Sequence, residues 1–90
     1  MVFPFVDPPN TAALICTHVL NGDPILYVSH DADDGMWQFL CGRNGHSTQE
    51  ARLVSLAKVV DIDPQIGALA SMPLGCAAER NDADSPWEVV

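Results

Sequence analysis

The chain has 90 residues, of which 12 are acidic and 4 are basic, so its formal net charge at pH 7 is −8. This length allows one domain with a modest core, and a hydrophobic content of 48% argues against a disordered chain. The scarcity of lysine and arginine argues against binding to nucleic acid or to an anionic membrane, because both ligands require clustered cations.

The amino-terminal residues 1–10 are predicted to form an extended arm in front of a single α+β domain over residues 11–90. Three prolines, Pro4, Pro8 and Pro9, restrict the backbone of this arm. The segment contains no basic residue and no long apolar stretch, so it does not have the pattern of a secretory signal. We therefore expect a cytoplasmic protein.

Three strands joined by two turns are predicted next. They cover residues 12–20, 25–30 and 36–41. Asparagine and glycine in the first turn, residues 21–24, tolerate positive φ angles, and the second turn, residues 31–35, is acidic. Alternation in the third strand places Trp37 and Phe39 on the core face. The pattern predicts an antiparallel meander.

The second half of the chain predicts a fourth strand, two short helices and a closing hairpin. The strand covers residues 51–55, and Ser55 caps the helical turns that follow it. Asp63 and Pro64 mark the start of the second helix, since the aspartate accepts a free amide hydrogen and proline loses nothing at the first position. Residues 76–80 and 87–90 form the hairpin. The predicted fold is α+β, with three to five antiparallel strands covered by two short helices.

The cysteines and histidines allow two interpretations. Cys16, Cys41 and Cys76 are an odd set at wide spacing, which predicts buried apolar thiols rather than disulfides. The alternative is a metal-binding or redox-sensing site, because zinc takes four sulfur or nitrogen ligands. Its ligands would be Cys16, His18, Cys41 and His46. The spacing of Cys16 and His18 argues against it, because side chains two apart on a strand point in parallel.

Two acidic loops are the predicted contact surface for a partner protein. They contain Asp31, Asp33 and Asp34 in the first loop and Glu79, Asp82 and Asp84 in the second. The first loop does not match a calcium-binding EF-hand, because Gly42 stands where the loop requires a bidentate glutamate. A strong negative charge would instead speed the encounter with a basic protein.

Motifs of common enzymes are absent from the sequence. It contains no glycine-rich phosphate loop, no C-x-x-C, no H-E-x-x-H and no G-x-S-x-G. The spacing of Cys41 from His30 or His46 gives no support to a thiol nucleophile. We therefore expect neither an enzyme nor a cofactor. A homodimer through an edge strand or through the proline-rich arm is left open.

Several short motifs follow one another in a recognisable order between residues 13 and 90. The most specific is D-G-x-W-x-F-L-x-G over residues 34–42, followed by D-P at residues 63–64, P-x-G at residues 73–75 and E-R at residues 79–80. In this order they resemble a family of small uncharacterised bacterial domains related to the predicted immunity proteins of polymorphic toxin systems. The resemblance implies an antiparallel α+β domain without established catalysis. It suggests an immunity-like inhibitor of a basic toxin.

Overall fold

A computed structural model describes residues 3–42 and 51–90. Within these ranges the chain forms a six-stranded mixed sheet and three short helical segments. The strands are β1 (Ala12–Cys16), β2 (Tyr27–His30), β3 (Trp37–Leu40), β4 (Ala51–Ser55), β5 (Cys76–Glu79) and β6 (Glu88–Val89). The helices are α1 (Thr17–Leu20), α2 (Leu56–Ile62) and a 3₁₀ helix (Pro64–Leu69). The predicted α+β class is therefore confirmed.

The order of the strands differs from the predicted meander. The sheet has the order β4-β1-β3-β2-β5-β6, so β3 lies between β1 and β2. β1 and β3 are parallel, with Ile15 opposite Phe39, and the other neighbours are antiparallel. The first strand stops at Cys16 rather than continuing to residue 20. Ile15 and Cys16 are both buried, which breaks the two-residue period, and the chain turns into α1 instead of forming a tight hairpin.

One face of the sheet packs against α2 and the 3₁₀ helix. The buried side chains on this face are those of Ala13, Ile15, Val28, Trp37, Phe39 and Ala78. Leu56 and Val59 of α2 and Ile66 of the 3₁₀ helix complete the same core. The predicted alternation of β3 is confirmed, since Trp37 is 1% exposed and Phe39 is 0% exposed.

Both helix starts predicted from the sequence are confirmed. The backbone N–H of Lys58 donates to the hydroxyl oxygen of Ser55 at 3.1 Å, which caps α2. The N–H of Gln65 donates to the carboxylate of Asp63 at 3.0 Å, with Pro64 at the first helical position. The second helix is a 3₁₀ helix rather than an α-helix.

The amino-terminal segment contributes an aromatic side chain to the core. Phe5 is 5% exposed, and its ring centroid lies 5.0 Å from that of Trp37 at an interplanar angle of 80°. Pro4 lies against the 3₁₀ helix, where a Cβ added to Gly67 would be 3.2 Å from the Pro4 side chain. Phe5 thus enters the core, and the carbonyl oxygen of Pro9 also accepts from the N–H of Ala57 at 3.0 Å.

Arg80 fixes the hairpin of β5 and β6 to the rest of the domain. Its side chain is 1% exposed and donates to the carboxylate of Asp63 at 2.7 Å and to the carbonyl of Ile25 at 2.9 Å. The guanidinium carbon also lies 4.3 Å from the centroid of the Trp87 ring, a cation–π contact. The predicted closing hairpin is confirmed, and this buried arginine links it to the 3₁₀ helix.

Candidate functional site

Three of the four predicted metal ligands meet at the carboxyl ends of two neighbouring strands, β1 and β3. The ligand atoms of Cys16, His18 and Cys41 all lie within 4.8 Å of one another. The Sγ atom of Cys41 is 3.8 Å from Nδ1 of His18. Both cysteines are buried and the histidine is half-buried. The fourth predicted ligand, His46, lies outside the described residues.

The parallel pairing of β1 and β3 explains why these side chains meet. Cys16 is the last residue of β1 and Cys41 follows the last residue of β3, and parallel neighbours end at the same edge of a sheet. His18 does not lie on a strand, since α1 begins at Thr17. The prediction that the side chains of Cys16 and His18 point in parallel is therefore wrong, because it requires a continuous strand through both residues.

The other cysteine and histidine of the described residues lie elsewhere. Cys76 is on β5, paired with His30 of β2, and belongs to no such group of ligands among residues 3–42 and 51–90. The Nδ1 atom of His30 is 2.8 Å from the carbonyl oxygen of Met72. The His30 ring also stacks on Trp37 at a centroid distance of 3.9 Å. His30 is therefore part of the packing around the core.

The structure separates the two predicted acidic loops. In the antiparallel pair of β2 and β5, Tyr27 is opposite Glu79 and His30 is opposite Cys76. The turn that follows β2 and the loop that follows β5 therefore lie at opposite ends of this strand pair. The six predicted carboxylates do not form one continuous patch.

Hydrogen bonds order the first loop. The carboxylate of Asp31 accepts from the hydroxyl of Ser29 at 3.2 Å and from the side-chain amide of Gln38 at 2.5 Å. The carboxylate of Asp34 accepts from the backbone N–H of Met36 at 2.9 Å. Asp33 is exposed. The carboxylates of Asp31 and Asp34 are thus held in place at the end of β2.

The second loop divides its predicted residues between two sides of the molecule. Glu79 is exposed on β5, whereas Asp84 lines a groove beside Asp63 and the end of α2. The backbone N–H of Asp84 and the hydroxyl of Ser85 donate to Asp82 and hold the pKa of its carboxyl below the ordinary value. The Asp82 carboxylate is therefore held within the local turn, and Asp82 itself does not line the groove beside Glu79.

Two open grooves lie along β2 and β5 and are lined partly by side chains of the face that points away from the core. Tyr27 lines both grooves, whose volumes are about 400 Å³ and about 370 Å³. The residues of this surface, which we call the acidic trough, are Tyr27, Ser29, Asp31, Asp33, Asp34, Ala77, Glu79 and Glu88. Sequence reasoning missed Tyr27 and Glu88, although the alternation of Tyr27 with Val28 indicates an outward-facing side chain.

Comparisons with known proteins identify no relative of the chain. No protein-family model, no curated protein and no solved structure matches it. The resemblance to bacterial immunity-related domains therefore stays a prediction. Among residues 3–42 and 51–90, no helix has the length and apolar composition that crossing a bilayer requires.

Proposed function

We propose that the protein is a non-enzymatic binding module for a basic protein and that the acidic trough is its contact surface. The observation that carries the proposal is that Tyr27 lines both grooves, in register with Glu79 and Glu88, on a sheet face that α2 and the 3₁₀ helix leave open. Tyrosine is enriched at the centres of protein interfaces. Flanking carboxylates would attract and orient a partner of opposite charge.

The placement of the described cations supports a basic partner. Arg80 borders one of the grooves, but its guanidinium is paired with Asp63. Arg52 and Lys58 lie on β4 and α2, outside the acidic trough. The acidic trough contains five carboxylates. Of the lysines and arginines that the structure describes, only Arg80 borders it, and Arg80 is already paired with Asp63.

The same sheet face continues beyond the acidic trough to one exposed apolar side chain, that of Leu53. The registers align Leu53, Leu14, Gln38, Ser29 and Ala77 in one row across five strands. Leu53 is 64% exposed at the β4 end of this row. A partner that spans this row from the acidic trough to Leu53 would be a protein rather than a small cation, because neighbouring strands lie about 4.8 Å apart.

An inhibitor of a basic toxin is the specific form of this function that we favour. A toxin that acts on nucleic acid needs a cationic surface for phosphate, and an acidic trough is complementary to such a surface. The motif order over residues 34–80 supports the same proposal through its resemblance to immunity-related bacterial domains. The proposal assigns no catalytic residue.

Two double variants with equal charge changes test the proposal. Asp33→Asn/Asp34→Asn removes two charges from the acidic trough, and Asp82→Asn/Asp84→Asn removes two charges outside it. The probes are the basic proteins encoded in genes adjacent to its own, and association rates are measured at low and high salt. We expect the first variant to slow association on the order of tenfold at low salt, and the second to slow it much less.

Two results would contradict the proposal. Equal slowing by the two variants would mean that only net charge matters and that the acidic trough is not the contact. The absence of binding to any of these basic proteins at low salt would remove the proposed function itself.

A further inference from the structure

We infer that Cys16, His18 and Cys41 form a binding site for a transition-metal ion, with Zn²⁺ as the ion that the ligands fit best. Thiolate sulfur and imidazole nitrogen are the ligands that zinc prefers in proteins. The inference is independent of the acidic trough, because these ligands come from the ends of β1 and β3 and from α1.

The spacing of the ligand atoms agrees with tetrahedral coordination. Zinc–sulfur bonds of about 2.3 Å and zinc–nitrogen bonds of about 2.0 Å place neighbouring ligand atoms roughly 3.5–3.8 Å apart. The Cys41 Sγ to His18 Nδ1 distance is 3.8 Å, and no pair among the three ligand atoms exceeds 4.8 Å. Shifts of about 1 Å or less at the side chains would bring these three ligand atoms to zinc-binding distances, and a water molecule would complete the tetrahedron.

The charge of the filled site suits its burial. Cys16 is 1% exposed and Cys41 is 2% exposed, so two uncompensated thiolates there would be strongly disfavoured. A divalent cation with two thiolates and one neutral imidazole has no net charge.

The local backbone places the ligands without further rearrangement. Gly42 has a φ of +74°, so the chain turns immediately after Cys41 in a conformation that glycine adopts readily. A Cβ at this position would lie 3.2 Å from the Cβ of Leu26. α1 has four residues, and no side chain caps its first turn. A bound ion would join this short helix to both parallel strands.

Metal content and cobalt substitution test the inference. The full chain, produced without a histidine tag in zinc-supplemented medium, should retain about one zinc ion after dialysis. The cobalt-loaded protein should show thiolate-to-cobalt charge-transfer absorption in the near ultraviolet. Cys16→Ser and Cys41→Ser should lose this absorption, whereas Cys76→Ser, the matched control, should retain it.

A thiol-protection measurement keeps the test valid if the serine variants do not fold. Because Cys16 and Cys41 are buried even without an ion, the thiol reagent is applied to the unaltered protein in enough urea to make both react in the presence of a chelator. Added zinc should then protect these two cysteines, and mass analysis should identify Cys76 as the one that still reacts. Retention of less than about a tenth of an equivalent of zinc by the folded protein would overturn the inference. Cobalt absorption that persists in Cys41→Ser, or zinc that protects no thiol, would also overturn it.

Discussion

The two candidate sites of this small domain differ in how they are built. The Cys16, His18 and Cys41 cluster is buried, and its members come from segments more than twenty residues apart. The acidic trough is open, and most of its residues come from one strand pair and the loops beside it. The first site depends on the pairing of distant strands, whereas the second depends mostly on local composition and alternation.

Removal of bound zinc is expected to give the largest change in stability, and this change should depend on the Cys16, His18 and Cys41 cluster rather than on the acidic trough. A ligand at about 1,000 times its Kd stabilises the folded state by about 4 kcal/mol. A chelator should therefore lower the thermal midpoint of the zinc-loaded protein and of Cys76→Ser by the same amount. Cys41→Ser should show no response to the chelator, which differential scanning calorimetry would measure.

Substitution of Arg80 should destabilise the hairpin that carries part of the acidic trough. It should leave the Cys16, His18 and Cys41 cluster unchanged. Arg80→Ala leaves Asp63 without its ion pair and frees the hairpin that carries Glu88. Removing one partner of a buried ion pair costs about 3–5 kcal/mol, and we expect about 3 kcal/mol because the Asp63 side chain is 18% exposed. Denaturant unfolding would measure the loss. Unchanged zinc stoichiometry in the folded variant is the control.

Tyr27→Ala should weaken partner binding without unfolding the protein. A central interface tyrosine contributes about 2 kcal/mol, which is roughly thirtyfold in Kd. Tyr27 is half-buried on the open face, so we expect its loss to cost about 1 kcal/mol of stability or less. Ile62→Ala on α2 is the matched control, and calorimetric titration with the partner would compare them. Equal affinities would place the contact elsewhere.

The smallest expected effect concerns Asp82. Hydrogen bonds from the Asp84 N–H and the Ser85 hydroxyl lower the pKa of its carboxyl in the folded protein. Its contribution to stability is therefore present above the unfolded pKa and is lost as the pH falls through the folded pKa. The stability difference between the unaltered protein and Asp82→Ala should narrow toward acid. Urea unfolding of both proteins at a series of pH values would measure this stability difference. A difference that stays constant with pH would contradict the explanation.

Local features of the fold could be predicted because they depend on neighbouring residues. The alternation around Trp37 and Phe39, the cap at Ser55 and the Asp63 and Pro64 helix start each have a physical cause within a few positions. The burial of Phe5 was missed because nothing near it in the sequence indicates what it packs against. The same holds for the ion pair between Arg80 and Asp63.

The strand order was beyond local reasoning, and the candidate metal site depends on it. Residues 12–20 fit a strand by alternation, but short apolar runs are ambiguous between strand and helix. Only the end of β1 at Cys16 and its pairing with β3 bring His18 and Cys41 to the same edge. The types of the ligands could be predicted from the sequence, whereas their convergence required long-range pairing.

The central claim is that a basic partner binds at the acidic trough. Hydroxyl-radical footprinting of the bound complex tests it most directly, because it reports which side chains the partner covers. The account predicts that the partner protects Tyr27 from oxidation and leaves Ile62, on the helical side of the sheet, unchanged. Protection of Ile62 together with unaltered oxidation of Tyr27 would contradict it.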